Sequence, residues 1–152
     1  MKKLILSACL LAFTASVAPA QVKSRAPDAP VIAKDDHLYQ AFGGHDGLVR
    51  IMDDFMVNLL ADPRTEPFFG PANQVQIKAL LVEQFCVILG GPCQYSGRSM
   101  KEAHQGMNVG EDNFYALVEA LQKAMNKHHV PFSAQNKLLA ALAPQHRDII
   151  EK

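Results

Sequence analysis

GGPCQYSGRSMKEAHQGM, from Gly90 to Met107, is the stretch on which the reading of this chain turns. It opens on two glycines and a proline, which break one element, and passes into a short segment that carries His104. Met100 stands four residues before that histidine and Met107 three after it, so on a helix the three side chains share one face. An imidazole among thioethers is dry, and its second nitrogen has few partners: either a backbone carbonyl satisfies it or an iron does. A lone histidine on an apolar face is more often a satisfied core residue than a ligand. The surrounding chain has to decide.

Working outward, every segment reads as helix. Upstream of the glycines, about Val75 to Leu89 forms one element, and from Ala79 onward only Glu83 and Gln84 interrupt its apolar run. A helix apolar nearly all round is buried between others. Further upstream, Leu48, Ile51, Met52, Phe55, Met56, Leu59 and Leu60 recur at the helical spacing, with Gly43-Gly44 before them and Asp62-Pro63 after. Downstream, about Glu111 to His128 places Phe114, Leu117, Val118, Leu121 and Met125 on one stripe, and Val130-Pro131 ends it. Ser133 is positioned to cap a last helix holding Leu138, Leu139 and Leu142, which Pro144 kinks or ends. No alternating strand pattern and no internal repeat occur. The expected architecture is all-α, with about five helices of which one is very short.

The first twenty residues belong to another process. Lys2 and Lys3 precede the apolar run LILSACLLAFTASV, which closes on Ala18-Pro19-Ala20. That pattern is a secretory signal peptide cut between Ala20 and Gln21, and the run falls short of the ~20 apolar residues of a membrane anchor. Cys9 follows Leu6-Ser7-Ala8, but the apolar run ahead of it is too short for a lipoprotein box, so the expectation is an exported, periplasmic protein with no stable membrane insertion after cleavage. Gln21 to Asp36 has no sustained period and reads as a flexible leader, leaving residues 37–152 as the folded domain.

Of 152 residues, 49% are hydrophobic and 20% charged, enough for one domain with a sizeable core. Cleavage removes two of the 15 basic residues and none of the 15 acidic ones, a net charge near −2 that argues against nucleic acid and anionic membranes as partners. It also leaves two cysteines, Cys86 and Cys93. Seven residues of continuous helix would hold them about 10 Å apart, beyond disulfide reach. They meet only if the chain turns sharply at Gly90-Gly91-Pro92; free buried thiols are the expectation.

Several chemistries drop out. The chain has no Cys-x-x-Cys-His for covalent haem attachment, no glycine-rich phosphate loop and no His-Glu-x-x-His zinc motif. Its other histidines, His37, His45, His128, His129 and His146, are dispersed, and Asp53-Asp54 read as ordinary surface carboxylates.

One ordered set of short motifs overturns the bland reading of His104. Leu38-Tyr39-x-x-Phe42-Gly43-Gly44, Asp54-Phe55, Ala61-Asp62-Pro63, Phe68-Phe69, Gly90-Gly91-Pro92, Tyr95-x-Gly97-Arg98, Met100-Lys101-x-x-His104 and Val130-Pro131 together resemble the group I truncated haemoglobins. The resemblance spans about Leu38 to Ile150 and needs no gap between Phe55 and His104. It implies a two-over-two helical sandwich around non-covalent haem b, with His104 as the proximal iron ligand. Met100, Val109, Phe114 and Leu117 then pack on the proximal side of the porphyrin, and Phe69 wedges it from the distal side. A five-coordinate ferrous haem needs one neutral imidazole oriented through its other N–H, and His104 meets that need.

The departures from the family are as informative. Where many relatives carry a tyrosine whose hydroxyl bonds the bound gas, this chain has Met56, and on the helix over the distal face the matching positions are Ile77, Leu80 and Leu81. Gln84 lies near the same face as a partial substitute, and Phe85 matches a position lining the ligand tunnel of some relatives. A donor aimed at bound dioxygen in a dry site contributes about 1–3 kcal/mol, so its loss raises the dioxygen off-rate by roughly tenfold to a hundredfold and affects carbon monoxide and nitric oxide less. The expected function is reversible binding of dioxygen or another diatomic gas, with nitric oxide dioxygenation or a peroxidase-like activity as a side reaction needing an unknown electron donor. The alternatives are a haem-binding or redox-sensing module without gas transport, and a helical protein that has lost its haem.

Overall fold

The computed structural model of the protein describes residues 31–151, so the predicted signal peptide and most of the leader lie outside the described residues. All regular structure among the described residues is helical. The elements are α1 (His37–Ala41), α2 (Gly44–Ala61), α3 (Glu66–Phe69), α4 (Gln74–Ile88), α5 (Met100–His104), α6 (Glu111–Lys127), α7 (Phe132–Leu142) and, after a 3-10 turn at Ala143–Gln145, α8 (His146–Ile149). The four long helices α2, α4, α6 and α7 are those the periodicity predicts. The short ones exceed the expected number because four- and five-residue turns bury too few side chains to show a period.

Helix α2 is the hub. It packs most extensively against α4 and α6, and Leu48, Ile51, Met52, Phe55, Met56 and Leu59 are all buried along it. All of these but Met56 join Phe85, Cys86, Ile88 and Leu89 from α4 and its cap, Leu121 and Met125 from α6, and Leu138 from α7 in one cluster. Each such side chain stabilises the fold by about 1.5–3 kcal/mol through loss of apolar surface to water. Asp62 stops α2: its carboxylate accepts from the Arg64 amide at 2.9 Å and from the Arg64 guanidinium at 2.7 Å. Those bonds push the Asp62 carboxyl down to about 2. The Thr65 hydroxyl, fully buried, donates to Leu59 O at 2.6 Å and satisfies a carbonyl that the helix end leaves open. At the other end of the core, α7 starts at Phe132 with Pro131 as its cap residue and no side-chain cap, so Ser133 does not serve as predicted.

The expectation for the cysteines is corrected. Cys86 and Cys93 form a disulfide with their Cα atoms 5.8 Å apart. The reason is the end of α4, where Gly91 N–H donates to Cys86 O at 2.7 Å and Gly90 N–H to Val87 O at 3.2 Å, with Gly90 left-handed at φ 83°. This paired-bond cap reverses the chain within two residues, and the reversed chain carries Cys93 back over the last turn of the helix. A Cβ on Gly91 would lie 2.6 Å from the Cys86 sulfur and 2.8 Å from the Tyr39 ring, so only glycine lets the returning strand approach this closely. The end of the predicted leader is also tied to this corner: Ile32 N–H donates to Ile88 O at 3.1 Å, where a detached segment was expected.

Candidate functional site around His104

The chain from Gly91 to Ser99 has no regular structure and is held by side chains instead. The disulfide fixes its start, the amide and hydroxyl of Ser96 both donate to the Glu83 carboxylate of α4 at 2.8 and 2.7 Å, and the Tyr95 hydroxyl donates to Arg98 O at 2.8 Å. Ser99 then starts α5 with a capping box: its hydroxyl accepts from the Glu102 amide, and the Glu102 carboxylate accepts from the Ser99 amide. These restraints deliver His104 at the end of the short helix.

His104 is half-buried, and its Nδ1 lies 2.8 Å from Met100 O. A carbonyl can only accept, so Nδ1 carries a proton, and Nε2 is the nitrogen that the neutral form of the ring leaves unprotonated. Among the described residues that second nitrogen has no hydrogen-bond partner. Both halves of the alternative posed by the sequence are therefore met at once, a carbonyl on one nitrogen and a vacant lone pair on the other. No three His, Cys, Asp or Glu side chains gather elsewhere among the described residues in the manner of a metal cage.

The apolar surroundings have an uneven burial that a simple core does not explain. Along α4 the stripe of Ile77, Leu81, Gln84, Phe85 and Ile88 is buried from Gln84 onward, but Ile77 and Leu81, with Leu80 beside them, stay half-open. Along α6, Leu121 and Met125 are buried whereas Phe114, Leu117 and Val118 are half-open. The expectation that α4 is enclosed all round thus holds only for its second half. Phe69 at the end of α3 is likewise half-buried. Met56, Met100 and Val109 are buried yet stand apart from the main core cluster. Phe69, Leu81 and Leu117 pack against the edge of the core cluster yet stay half-open, and apolar side chains so placed on three elements suit a flat apolar group. With the free Nε2 of His104, they fit a haem.

Other predicted positions are placed differently. Phe85 is 3% exposed and belongs to the main core cluster, so packing accounts for it. Met107 does not continue the face of Met100 and His104: α5 ends at His104, Met107 lies in the turn beyond and its side is exposed. Gln84 is buried and its amide donates to the Met100 sulfur at 3.8 Å, so this donor is engaged with α5. Asp54 accepts from Lys127 and His128 at 2.6 and 2.7 Å, and the Lys127 bond foremost holds its carboxyl below the usual range. Sequence reasoning gave no role to His146, whose ring stands edge-on to Phe114 with centroids 4.9 Å apart. Nothing in the sequence signals that contact, because it joins residues on separate helices.

With this geometry in hand, the comparisons with known proteins agree closely. Residues 37–150 match the bacterial-like globin family. The chain is 34% identical over 112 residues to the group 1 truncated haemoglobin GlbN of Mycolicibacterium paratuberculosis, covering 74% of this chain and 82% of that protein. Among solved structures it is similar to the Fe(III) form of the truncated haemoglobin of Tetrahymena pyriformis, at 27% identity and a TM-score of 0.72, covering 76% of this chain and 98% of that one. It is also similar to a Synechococcus 2/2 haemoglobin with covalently attached haem, at 25% identity and a TM-score of 0.69, over the same shares of the two chains. The Tetrahymena globin has also been solved as variants at one tyrosine and two glutamines. The spacing of those three positions equals that of Met56, Ile77 and Leu81 here.

Proposed function

We propose, from the premise that this chain belongs to the bacterial-like globin family and within it to the truncated haemoglobins, that it binds non-covalent haem b and takes up a diatomic gas reversibly. The observation that carries this reading is the bond from His104 Nδ1–H to Met100 O, which sets the tautomer and aims an unprotonated Nε2 away from the helix. When bound, the haem supplies a ferrous iron able to take dioxygen, carbon monoxide or nitric oxide.

The chain's own residues do the rest. His104 would hold the iron, and Met100, Val109, Phe114 and Leu117 would shield it from water. Phe69, Met56, Ile77 and Leu81 bound the opposite side, and none of the four offers a hydrogen-bond donor. The buried amide of Gln84 donates one N–H to the Met100 sulfur. A site lined this way would hold dioxygen weakly, and carbon monoxide and nitric oxide, less dependent on a donor, better. The relatives, named as haemoglobins, lend no support to the reading as a redox-sensing module without gas binding.

The proposed location is the periplasm. The pattern of Lys2 to Ala20 supports export, and the Cys86–Cys93 bridge supports an oxidising compartment. Nitric oxide dioxygenation stands as a side activity only with a separate electron donor.

Absorption spectra of the mature protein in the ferric, ferrous and carbon monoxide states test the reading directly. A Soret band is expected in the wild type and its loss in His104→Ala; an unchanged band in that variant would place the ligand elsewhere. Amino-terminal sequencing of the exported protein is expected to begin at Gln21.

A further inference from the structure

The turn that follows His104 is held from outside by a single carboxylate. Gly106 and Asn108 are both left-handed, at φ 80° and 55°, which turns their amides toward a common point. Glu151 occupies that point: one carboxylate oxygen accepts from Gly106 N–H at 2.7 Å and the other from Asn108 N–H at 2.6 Å. The Glu151 amide in turn donates to Val109 O at 3.0 Å. Three bonds thus tie the chain just beyond α8 to the residues between the proposed iron ligand and Val109, and α8 itself packs against α5.

We propose that Glu151 is a positioning residue for the iron site: it sets the direction of the His104 ring and the position of Val109 by clamping the turn that joins them. The inference rests on the haem reading above. The physical case begins with α5, a five-residue helix that has too few internal bonds to hold an orientation by itself. Its start is fixed by the Ser99–Glu102 box, the Glu83 bonds and the disulfide. Beyond the Gln105 N–H bond to Lys101 O and the packing of α8, its end is held by the Met107 N–H bond to His104 O and by the Glu151 clamp on the turn that follows. Charge-assisted bonds to backbone amides are the strong kind, and here both oxygens of one carboxylate are used. The clamp bonds only backbone groups of the turn, so its effect reaches His104 and Val109 through the backbone of residues 105–109.

The test uses the mature haem-loaded protein and the variants Glu151→Gln, Glu151→Ala and, as a control on the same segment, Asp148→Asn. Two quantities are read: the rate of haem transfer to an excess of apomyoglobin, and the iron–histidine stretching band of the ferrous form by resonance Raman. Glu151→Ala is expected to speed haem loss about tenfold, and Glu151→Gln, which keeps one acceptor and the side-chain volume, about threefold. Both are expected to displace and broaden the iron–histidine band, with Asp148→Asn at wild-type values. Wild-type values in both Glu151 variants would overturn the proposal, as would faster haem loss with an unmoved band, which is the mark of a merely structural contact. A wild type with no Soret band would overturn the haem reading together with this one, so the two failures are distinct.

Discussion

Removing the Cys86–Cys93 bridge is the perturbation whose size follows most directly from the structure. The pair closes a loop with a sequence separation of 7, and the bridge restricts the unfolded chain more than the folded one. Loop-closure entropy for a ring of that length amounts to about 2.5 kcal/mol. For a domain of this size that corresponds to a fall of about 10 °C in Tm. Alanine is the right replacement, because Cys86 is fully buried and a serine hydroxyl there would add its own desolvation cost of about 1–3 kcal/mol. The fold should survive, since Ser96 still bonds Glu83, Tyr95 still bonds Arg98 and the turn at Gly90 needs no sulfur. Thermal unfolding followed by circular dichroism compares the oxidised wild type, the wild type under reductant and Cys86→Ala/Cys93→Ala. The last two are expected to coincide, about 10 °C below the first, and thiol titration to give no free cysteine in the mature wild type before reduction. Equal transitions for all three would refute the reasoning, because the bridge would then constrain nothing that the unfolded chain is free to do.

Met56→Tyr is expected to slow dioxygen release roughly tenfold to a hundredfold, with a smaller change for carbon monoxide, by flash photolysis; an unchanged rate would mean that Met56 does not face the gas. The Asp62 carboxyl is depressed from 3.8 to about 2, so its bonds to Arg64 stabilise the fold fully above about pH 4, and that contribution is lost as the pH falls toward 2. Urea midpoints measured between pH 2 and 5 should therefore converge for wild type and Asp62→Asn at the acid end and separate at the other. Leu121→Ala, at a side chain 1% exposed, should destabilise the apoprotein by about 2–5 kcal/mol. Leu117→Ala, one turn earlier and half-open, should lower apoprotein stability less and haem retention more; equal stability losses in urea would deny that this half of α6 faces a cleft.

What the sequence by itself determined is whatever depends on local pattern. The spacing from Leu48 to Leu60 makes α2 a helix with one buried face, Gly90 and Gly91 end α4, and the ordered motifs from Leu38 to Val130 identify the family and single out His104. What only the tertiary structure decided are relations between residues distant along the chain or coupled through a turn. The pairing of Cys86 with Cys93 depends on a backbone reversal that straight-helix arithmetic does not contain. The contact of the Gln84 amide with the Met100 sulfur joins α4 to α5, a pairing that helical spacing alone does not contain. The grip of Glu151 on Gly106 and Asn108 joins segments with no shared motif. The half-open burial of Ile77, Leu81 and Phe114, against the closed burial of Phe85 and Leu121, is a difference that hydrophobicity cannot make, because both settings demand the same side chains and only the presence of neighbours tells them apart.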